Sequence, residues 1–187
     1  MTEQLDAIDF GPLTGLIGTW VGDKGVDRAP EPDGEERSPF YEILTFSAAD
    51  DVDNAEEQEL VALQYRQLVS RKSNDKIFHD ESGYWIWEDE NQLLMNSFAI
   101  PRGLALTAGG SVKEENGALV LSVTAGNAEW PVAQSPFLQE KARTVSFERT
   151  FTLEGDVLRY QQKTVLEIYG RTFEHTDVST LTRQIAE

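Results

Sequence analysis

The chain contains no cysteine among its 187 residues, so it forms no disulfide and has no thiolate metal site or cysteine nucleophile. Basic residues are also scarce, since 16 Lys and Arg stand against 33 Asp and Glu and give a formal net charge of -17. Nucleic acid and anionic membrane surfaces repel such a chain. We therefore expect an acidic surface that binds neither of them.

Long apolar runs and targeting signals are absent as well. No window is apolar enough to span a membrane, and residues 1–9 lack the basic start and apolar stretch of a signal peptide. A cytoplasmic location is the expectation. Nucleophile-elbow, phosphate-loop and dinucleotide-binding motifs are missing too, which argues against hydrolase and nucleotide-binding functions.

Short apolar runs separated by turn residues make up most of the chain and predict an all-β protein. The predicted strands cover residues 40–46, 58–70, 76–88, 92–100, 103–109, 118–125, 144–153, 157–169 and 173–184. With a first strand that starts at Gly18, they number about ten, which is enough for a closed antiparallel up-and-down β-barrel with room for a ligand. We predict one such barrel as a single domain over residues 1–187.

Three segments fall outside this series of strands. Residues 1–15 carry apolar residues at near-helical spacing and are predicted to form a short N-terminal helical cap on one barrel end. Residues 25–37 are rich in Pro, Gly and acidic residues and are predicted to be an exposed loop. Residues 127–143 interrupt the strand pattern and are predicted to be an inserted loop with a helical turn.

The two ends of the strand series are predicted to meet. The motif Gly18-Thr19-Trp20-Val21-Gly22 suits a first strand that runs close to a neighbour while its indole fills one barrel end. The last strand of an up-and-down barrel lies antiparallel to the first, so Arg183 should reach Trp20. A guanidinium over an indole is a stabilising cation–π contact, which predicts structural roles for Gly18, Trp20 and Arg183.

Only two histidines are present, His79 and His175, which argues against a zinc site. Alternation places His79, Glu81 and Trp85 on one strand face, where they form a pocket wall if that face points inward. Alternatively, His79 ends the strand with its ring on a backbone carbonyl. His175 lies on the face of the last strand that also carries Phe173, and a neutral imidazole in an apolar cavity is the usual protein ligand of haem iron.

Two further alternatives concern His175 and Arg149. Residues 175–177 could form a local turn in which Asp177 holds the imidazole. Arg149 would be buried if it points inward, and it would then need either an acid such as Glu81 or an anionic ligand as its partner. A β-bulge would instead turn Arg149 to solvent.

The chain also resembles a known family over residues 13–183. The motifs that carry the resemblance are Gly18-x-Trp20-x-Gly22, His79-x-Glu81-x-Gly83-Tyr84-Trp85, and Arg149-x-Phe151-x-Leu153 followed by Leu158-x-Tyr160. They are similar to the nitrobindin family of haem-binding β-barrels, whose shape is related to the calycin barrels of lipocalins and fatty-acid-binding proteins.

The resemblance implies a ten-stranded barrel that binds haem b, with His175 as the axial ligand of the iron. It places His79 on the other side of the haem and implies activity on nitric oxide or peroxynitrite, as in a haem-dependent peroxynitrite isomerase. The chain departs from the family pattern in residues 23–37 and 127–143.

The predicted ligand-binding residues are therefore His175, His79, Glu81, Trp85 and Arg149, and the expected partner is a hydrophobic small molecule. Two other functions stay open: a metal-free carrier of a fatty acid with Arg149 at its carboxylate, and an enzyme that uses His79 and Glu81 as an acid/base pair. The sequence also leaves open a homodimer formed through an outer face of the sheet.

Overall fold

The computed structural model describes residues 8–49 and 52–185, and strands dominate both ranges. The strands are β1 Gly18–Glu31, β2 Gly34–Ala48, β3 Val52–Asn54, β4 Gln58–Arg71, β5 Ile77–Glu88, β6 Leu93–Ile100, β7 Leu104–Glu115, β8 Ala118–Ala125, β9 Val132–Gln134, β10 Ala142–Glu154, β11 Val157–Ile168 and β12 Arg171–Arg183. A 3-10 helix covers Gly11–Leu16, and one short α-helix, α1, covers Pro136–Lys141. Neither helix in these described ranges is long and apolar enough to cross a membrane.

Ten of these strands close into an antiparallel barrel. Around the barrel the order is β2, β1, β12, β11, β10, β8, β7, β6, β5 and β4, and a β2–β4 pairing closes the circle. The short strands β3 and β9 add to β4 and β7. The predicted all-β barrel of about ten strands with a short N-terminal helical cap is confirmed.

Strand alternation divides the side chains between the interior and the solvent. In β11, Leu158 and Tyr160 are buried while Arg159 and Gln161 are exposed, as a period of two requires. The inward side chains pack tightly at the end of the barrel that the 3-10 helix covers, where Leu13, Leu16 and Trp20 are fully buried. The apolar core therefore fills one end and leaves the other end for the site.

The predicted loop over residues 25–37 is wrong, because these residues form most of a long β-hairpin. β1 pairs with β2 from Gly18 as far as Glu31, which lies opposite Gly34. Some of the charged side chains that suggested a loop instead pair with one another across the hairpin. The guanidinium of Arg28, for example, lies 2.6 Å from the carboxylate of Glu35. Polar residues suit these strands because the hairpin extends beyond the point where β1 last pairs with β12.

The other two segments are closer to expectation. Within the predicted cap, residues 1–7 lie outside the described part of the chain, and the 3-10 helix follows, with Gly11 against the indole of Trp87. Residues 127–143 contain β9, α1 and the start of β10, and the hydroxyl of Ser135 caps α1 by accepting from the Leu138 amide. This segment places Leu138 at the mouth of the cavity described below.

Candidate functional site

A cavity of about 400 Å³ lies at the barrel end away from the 3-10 helix. Its volume falls in the usual range for small-molecule sites, roughly 300–1,000 Å³. Its apolar walls come from strand ends and from α1, and they include Phe40, Val69, Phe78, Leu104, Leu138, Leu166 and Ile168. Its polar lining includes both histidines of the chain together with Asp27, Gln67, Tyr160, Gln162 and Asp177.

His175 points into this cavity from an unbroken strand. β12 runs continuously over Arg171–Arg183, so the local turn considered for residues 175–177 does not form. The Nε2 atom of His175 lies 2.6 Å from Oδ1 of Asp27 on β1, and 3.8 Å from Oδ2 of Asp177. Asp27 is therefore the closest partner of the imidazole, and it lies in the segment that the sequence had assigned to a loop.

The side chains of Asp27 and Asp177 affect the pKa of His175, and those of Asp27 and His175 affect the pKa of Asp177. Burial lowers the pKa of His175, but the hydrogen bond to Asp27 and the charge of Asp177 outweigh it, so the pKa is raised. Burial, assisted by the nearby Asp27 charge, raises the pKa of Asp177 to about 7. Candidate ligand atoms of Asp27, His175 and Asp177 all lie within 4.8 Å of one another, so the cluster could hold either a proton or a cation.

His79 lies in the cavity wall on β5, with 28% of its side chain exposed. Its Nε2 atom is 3.4 Å from Oε2 of Glu81, which is fully buried directly beneath it. The two side chains are thus adjacent, as their shared strand face predicts. The imidazole is available to the cavity, whereas the carboxylate is not.

Glu81 is held by Arg149 below the cavity. Nη1 and Nη2 of Arg149 lie 2.8 Å and 3.0 Å from the two carboxylate oxygens, and both side chains are about 1% exposed. Arg149 also donates to Asn96 Oδ1 at 2.9 Å, and the Tyr65 hydroxyl donates to Glu81 at 2.5 Å. The sequence left two partners open for a buried Arg149, an acid such as Glu81 or an anionic ligand. In the structure, the partner is Glu81.

This contact also sets the charge of Glu81. Burial favours the neutral form, but the opposite charge of Arg149, with the hydrogen bond and charge of His79, lowers the pKa to about 2. The carboxylate is thus ionised at neutral pH, and the charge of Glu81 likewise raises the pKa of Arg149. A pair of this kind is internally compensated and has no free charge to offer a ligand.

Trp85 belongs to the packed core instead of the cavity. It is fully buried, and its ring centroid lies 4.9 Å from that of Phe151. Of the five predicted ligand-binding residues, the structure brings His175 and His79 to the cavity lining. It places Glu81, Trp85 and Arg149 deeper in the barrel, because the strands pass from the open cavity into a close-packed interior.

A polar chain connects the deeper layer with the cavity wall. Gln162 on β11 accepts from Nε of Arg149 at 2.9 Å, and its amide nitrogen lies 3.4 Å from Oδ2 of Asp177. Sequence reasoning missed Asp27 and Gln162. For Gln162, the signal was its position as an exception to the polar–apolar alternation of β11.

Gly18, Trp20 and Arg183 lie at the opposite end of the barrel. Trp20 and Arg183 are backbone partners in the β1–β12 ladder, and the guanidinium lies 4.2 Å from the centre of the indole. Arg183 also donates to the Gly15 carbonyl at 2.7 Å, and the indole nitrogen donates to the Leu16 carbonyl at 2.7 Å. These contacts attach the 3-10 helix to the barrel and do not reach the cavity.

Comparison with known proteins agrees with this geometry. The model of the THAP4-like, heme-binding beta-barrel domain family matches residues 9–183. No curated protein matches the chain. Among solved structures, the crystal structure of Rv2717c from M. tuberculosis has a TM-score of 0.70 at 19% identity, covering 95% of this chain and 100% of that chain. That likeness supports the fold, and the family match confirms the predicted resemblance: this chain belongs to the THAP4-like haem-binding β-barrel domain family.

Proposed function

We propose that this chain binds haem b in the cavity at the open end of the barrel, with His175 as the axial ligand of the iron. The observation that carries the proposal is the inward imidazole of His175 in an apolar-walled cavity of about 400 Å³, within a haem-binding family of barrels. Imidazole is the commonest proximal ligand of haem iron.

The cavity lining fits such a group. Aromatic and aliphatic side chains form about half of its lining, and a flat apolar macrocycle is buried favourably against them. Imidazole coordinates a metal through a nitrogen that carries no proton. Because Nε2 of His175 contacts Asp27, coordination through Nε2 would replace this hydrogen bond.

His79 is the proposed residue on the other side of the haem. Its ring is half-buried in the cavity wall, and the buried carboxylate of Glu81 limits its rotation. A held imidazole can donate a hydrogen bond to a small molecule in the cavity or accept a proton from it. When bound, haem would supply the redox-active iron for chemistry on nitric oxide or peroxynitrite.

The test is titration of the purified protein with hemin, followed by visible absorption. We expect a shifted Soret band that saturates at one equivalent, and loss of that shift in His175→Ala. His79→Ala is the matched control, because it removes the other cavity imidazole and should keep the axial-ligand spectrum. If hemin shows no Soret shift with the wild-type protein, the proposal of haem binding is wrong. If His175→Ala gives the wild-type spectrum, the assignment of His175 as the axial ligand is wrong.

The reactive-nitrogen activity has its own measurement. Stopped-flow recording of peroxynitrite decay should show acceleration by the haem-loaded protein and little acceleration by the protein without haem. We expect His79→Ala to retain haem and to lose rate. Equal decay with loaded and haem-free protein would refute the proposed activity while leaving haem binding intact.

A metal-free carrier of a fatty acid is the second candidate, because the same apolar walls accept an alkyl chain. Arg149 cannot serve its carboxylate, since Glu81 occupies both terminal nitrogens of the guanidinium. A displacement assay with a fluorescent fatty acid tests this function directly. The enzyme that uses His79 and Glu81 as an acid/base pair is not favoured, because Glu81 does not line the cavity and both of its carboxylate oxygens accept hydrogen bonds from Arg149.

A further inference from the structure

The mouth of the cavity carries two arginines, Arg71 and Arg102, and both line it. Arg71 is the last residue of β4, and Arg102 lies in the turn between β6 and β7. Within the described part of the chain, neither guanidinium has a carboxylate within 4.0 Å, whereas other arginines such as Arg66, Arg143 and Arg183 do have one. These two cations therefore face the cavity without a protein counter-ion.

The lack of a partner is notable in this chain. Acidic residues outnumber basic ones by 33 to 16, so a surface arginine is surrounded on average by an excess of carboxylates. Arg71 is also placed by its packing, because its guanidinium lies 4.3 Å from the centre of the Phe78 ring in the cavity wall. A stacked guanidinium keeps its N–H groups free at the edge, where they can bind a carboxylate.

Two acids also line the cavity. Glu31 and Glu36 lie on the β1–β2 hairpin, whereas Arg71 ends β4 and Arg102 lies in the turn between β6 and β7. A carboxylate of an entering ligand is attracted to the two arginines and repelled by the two glutamates.

We propose that Arg71 and Arg102 form a carboxylate-binding subsite at the cavity mouth. The ligand class is an apolar molecule with one or two carboxylates on a single edge, such as a porphyrin with acidic side chains or a fatty acid. The subsite rests on the proposed function only in using the same cavity, because carboxylate recognition does not depend on iron. Arg71 and Arg102 bind the acidic edge while the apolar body lies against the walls.

The experiment compares metal-free protoporphyrin IX with its dimethyl ester, using fluorescence titration. The two molecules share one macrocycle and differ only in the two carboxylate charges. We expect the wild-type protein to bind the free acid about tenfold more tightly than the ester, a preference in the range of two exposed charge-assisted contacts. Added salt should weaken binding of the acid and leave binding of the ester unchanged.

The double variant Arg71→Gln/Arg102→Gln should lose this preference and bind the ester as the wild-type protein does. Arg66→Gln is the matched control, because Arg66 lies on the same strand as Arg71 but pairs with Asp80 on the outside. Equal affinity of the wild-type protein for acid and ester would overturn the subsite. An equal loss of both affinities in the double variant would also overturn it, because the two arginines would then contribute nothing specific to binding of the carboxylates.

Two further measurements distinguish carboxylate binding from coordination of haem iron, and a porphyrin ligand from a fatty acid. His175→Ala should abolish the hemin Soret shift yet keep the preference for the free acid over the ester. If neither porphyrin binds, displacement of a fluorescent probe by hexadecanoic acid and by hexadecanol gives the same comparison. Tighter binding of the fatty acid would then support the subsite, and equal displacement by both would overturn it.

Discussion

Replacement of Arg149 by Met tests the role of the buried ion pair below the cavity. Arg149 contacts both oxygens of Glu81 at about 1% exposure, so Met would leave a fully buried carboxylate without its main counter-ion. Removing one partner of such a pair costs roughly 3–5 kcal/mol. We expect Arg149→Met to lower the free energy of unfolding at neutral pH by about that amount.

The pKa of Glu81, which Arg149 and His79 lower together, gives a second magnitude. Its fall from 4.5 to about 2 corresponds to about 3 kcal/mol of stability at neutral pH, since a tenfold change in proton affinity is worth about 1.4 kcal/mol. The two magnitudes are of the same order. Urea unfolding followed by tryptophan fluorescence measures the change, provided that the variants keep the wild-type m-value.

A double-mutant cycle separates the pair from its surroundings. Glu81→Gln/Arg149→Met should lose less stability than the sum of its two single variants by about 2 kcal/mol or more, because it removes both charges. Arg66→Met is the external control: Arg66 makes two hydrogen bonds to Asp80, but its side chain is 59% exposed, so we expect a loss below about 1 kcal/mol. The reasoning is refuted if Arg149→Met costs no more than Arg66→Met, or if the cycle is additive.

Three further outcomes follow from the same structure. Glu81 has a depressed pKa in the folded state, so its stabilisation is complete above pH 4.5 and is lost as the pH falls towards 2; the stability difference between the wild-type protein and Glu81→Gln should shrink over that window in acid-dependent urea unfolding. Arg183→Met should lower stability by about 2 kcal/mol in thermal unfolding, because it removes the guanidinium from the indole of β1 and from two backbone carbonyls, whereas Arg159→Met, which removes an exposed ion pair, should change it by less than about 0.5 kcal/mol. Gly83→Ala places a Cβ 2.1 Å from a backbone oxygen of β6 and should cost about 1–3 kcal/mol or prevent folding, while Gly34→Ala meets no atom within 4 Å and should be nearly neutral; similar melting temperatures for the two variants would contradict the close approach.

The barrel itself was predictable because its signals are local. Alternating side chains and turn residues identify each strand within a window of about ten residues, and an up-and-down order follows when neighbouring strands are also consecutive in the chain. The same alternation places His79 and Glu81 on one strand face and His175 on the face of Phe173, whereas the sequence left open whether these faces point inward. The contact of Trp20 with Arg183 followed from closure, which pairs the first strand with the last.

Asp27 could not be found this way. Its position opposite Asp177 depends on the β1–β12 ladder, whose register shifts between Val21 and Val26. A shift of register changes which side chains face the interior, and nothing in the local pattern announces it. The polar residues around Asp27 then favoured a loop, although they are paired across the hairpin.

The choice of partner for Arg149 was likewise open in the sequence. Glu81 lies on β5 and Arg149 on β10, and these strands are not neighbours in the sheet. Their side chains meet across the barrel interior, where distance depends on the barrel radius and the size of the surrounding aromatic residues. The sequence therefore left three possibilities for Arg149: a buried acid as its partner, an anionic ligand as its partner, or a β-bulge that turns it to solvent. Only the folded geometry shows that the partner is the acid, Glu81.

The ion pair of Arg149 and Glu81 acts as a floor that separates two compartments of the barrel. Below it, aromatic and aliphatic side chains pack with one another, and above it the cavity has its own lining. Because the hydrogen bonds of this floor are made within the protein, the packed half does not need a ligand to complete it. The cavity walls can therefore be changed to accept other molecules while the packed half continues to stabilise the barrel, which makes the upper compartment suitable for redesign.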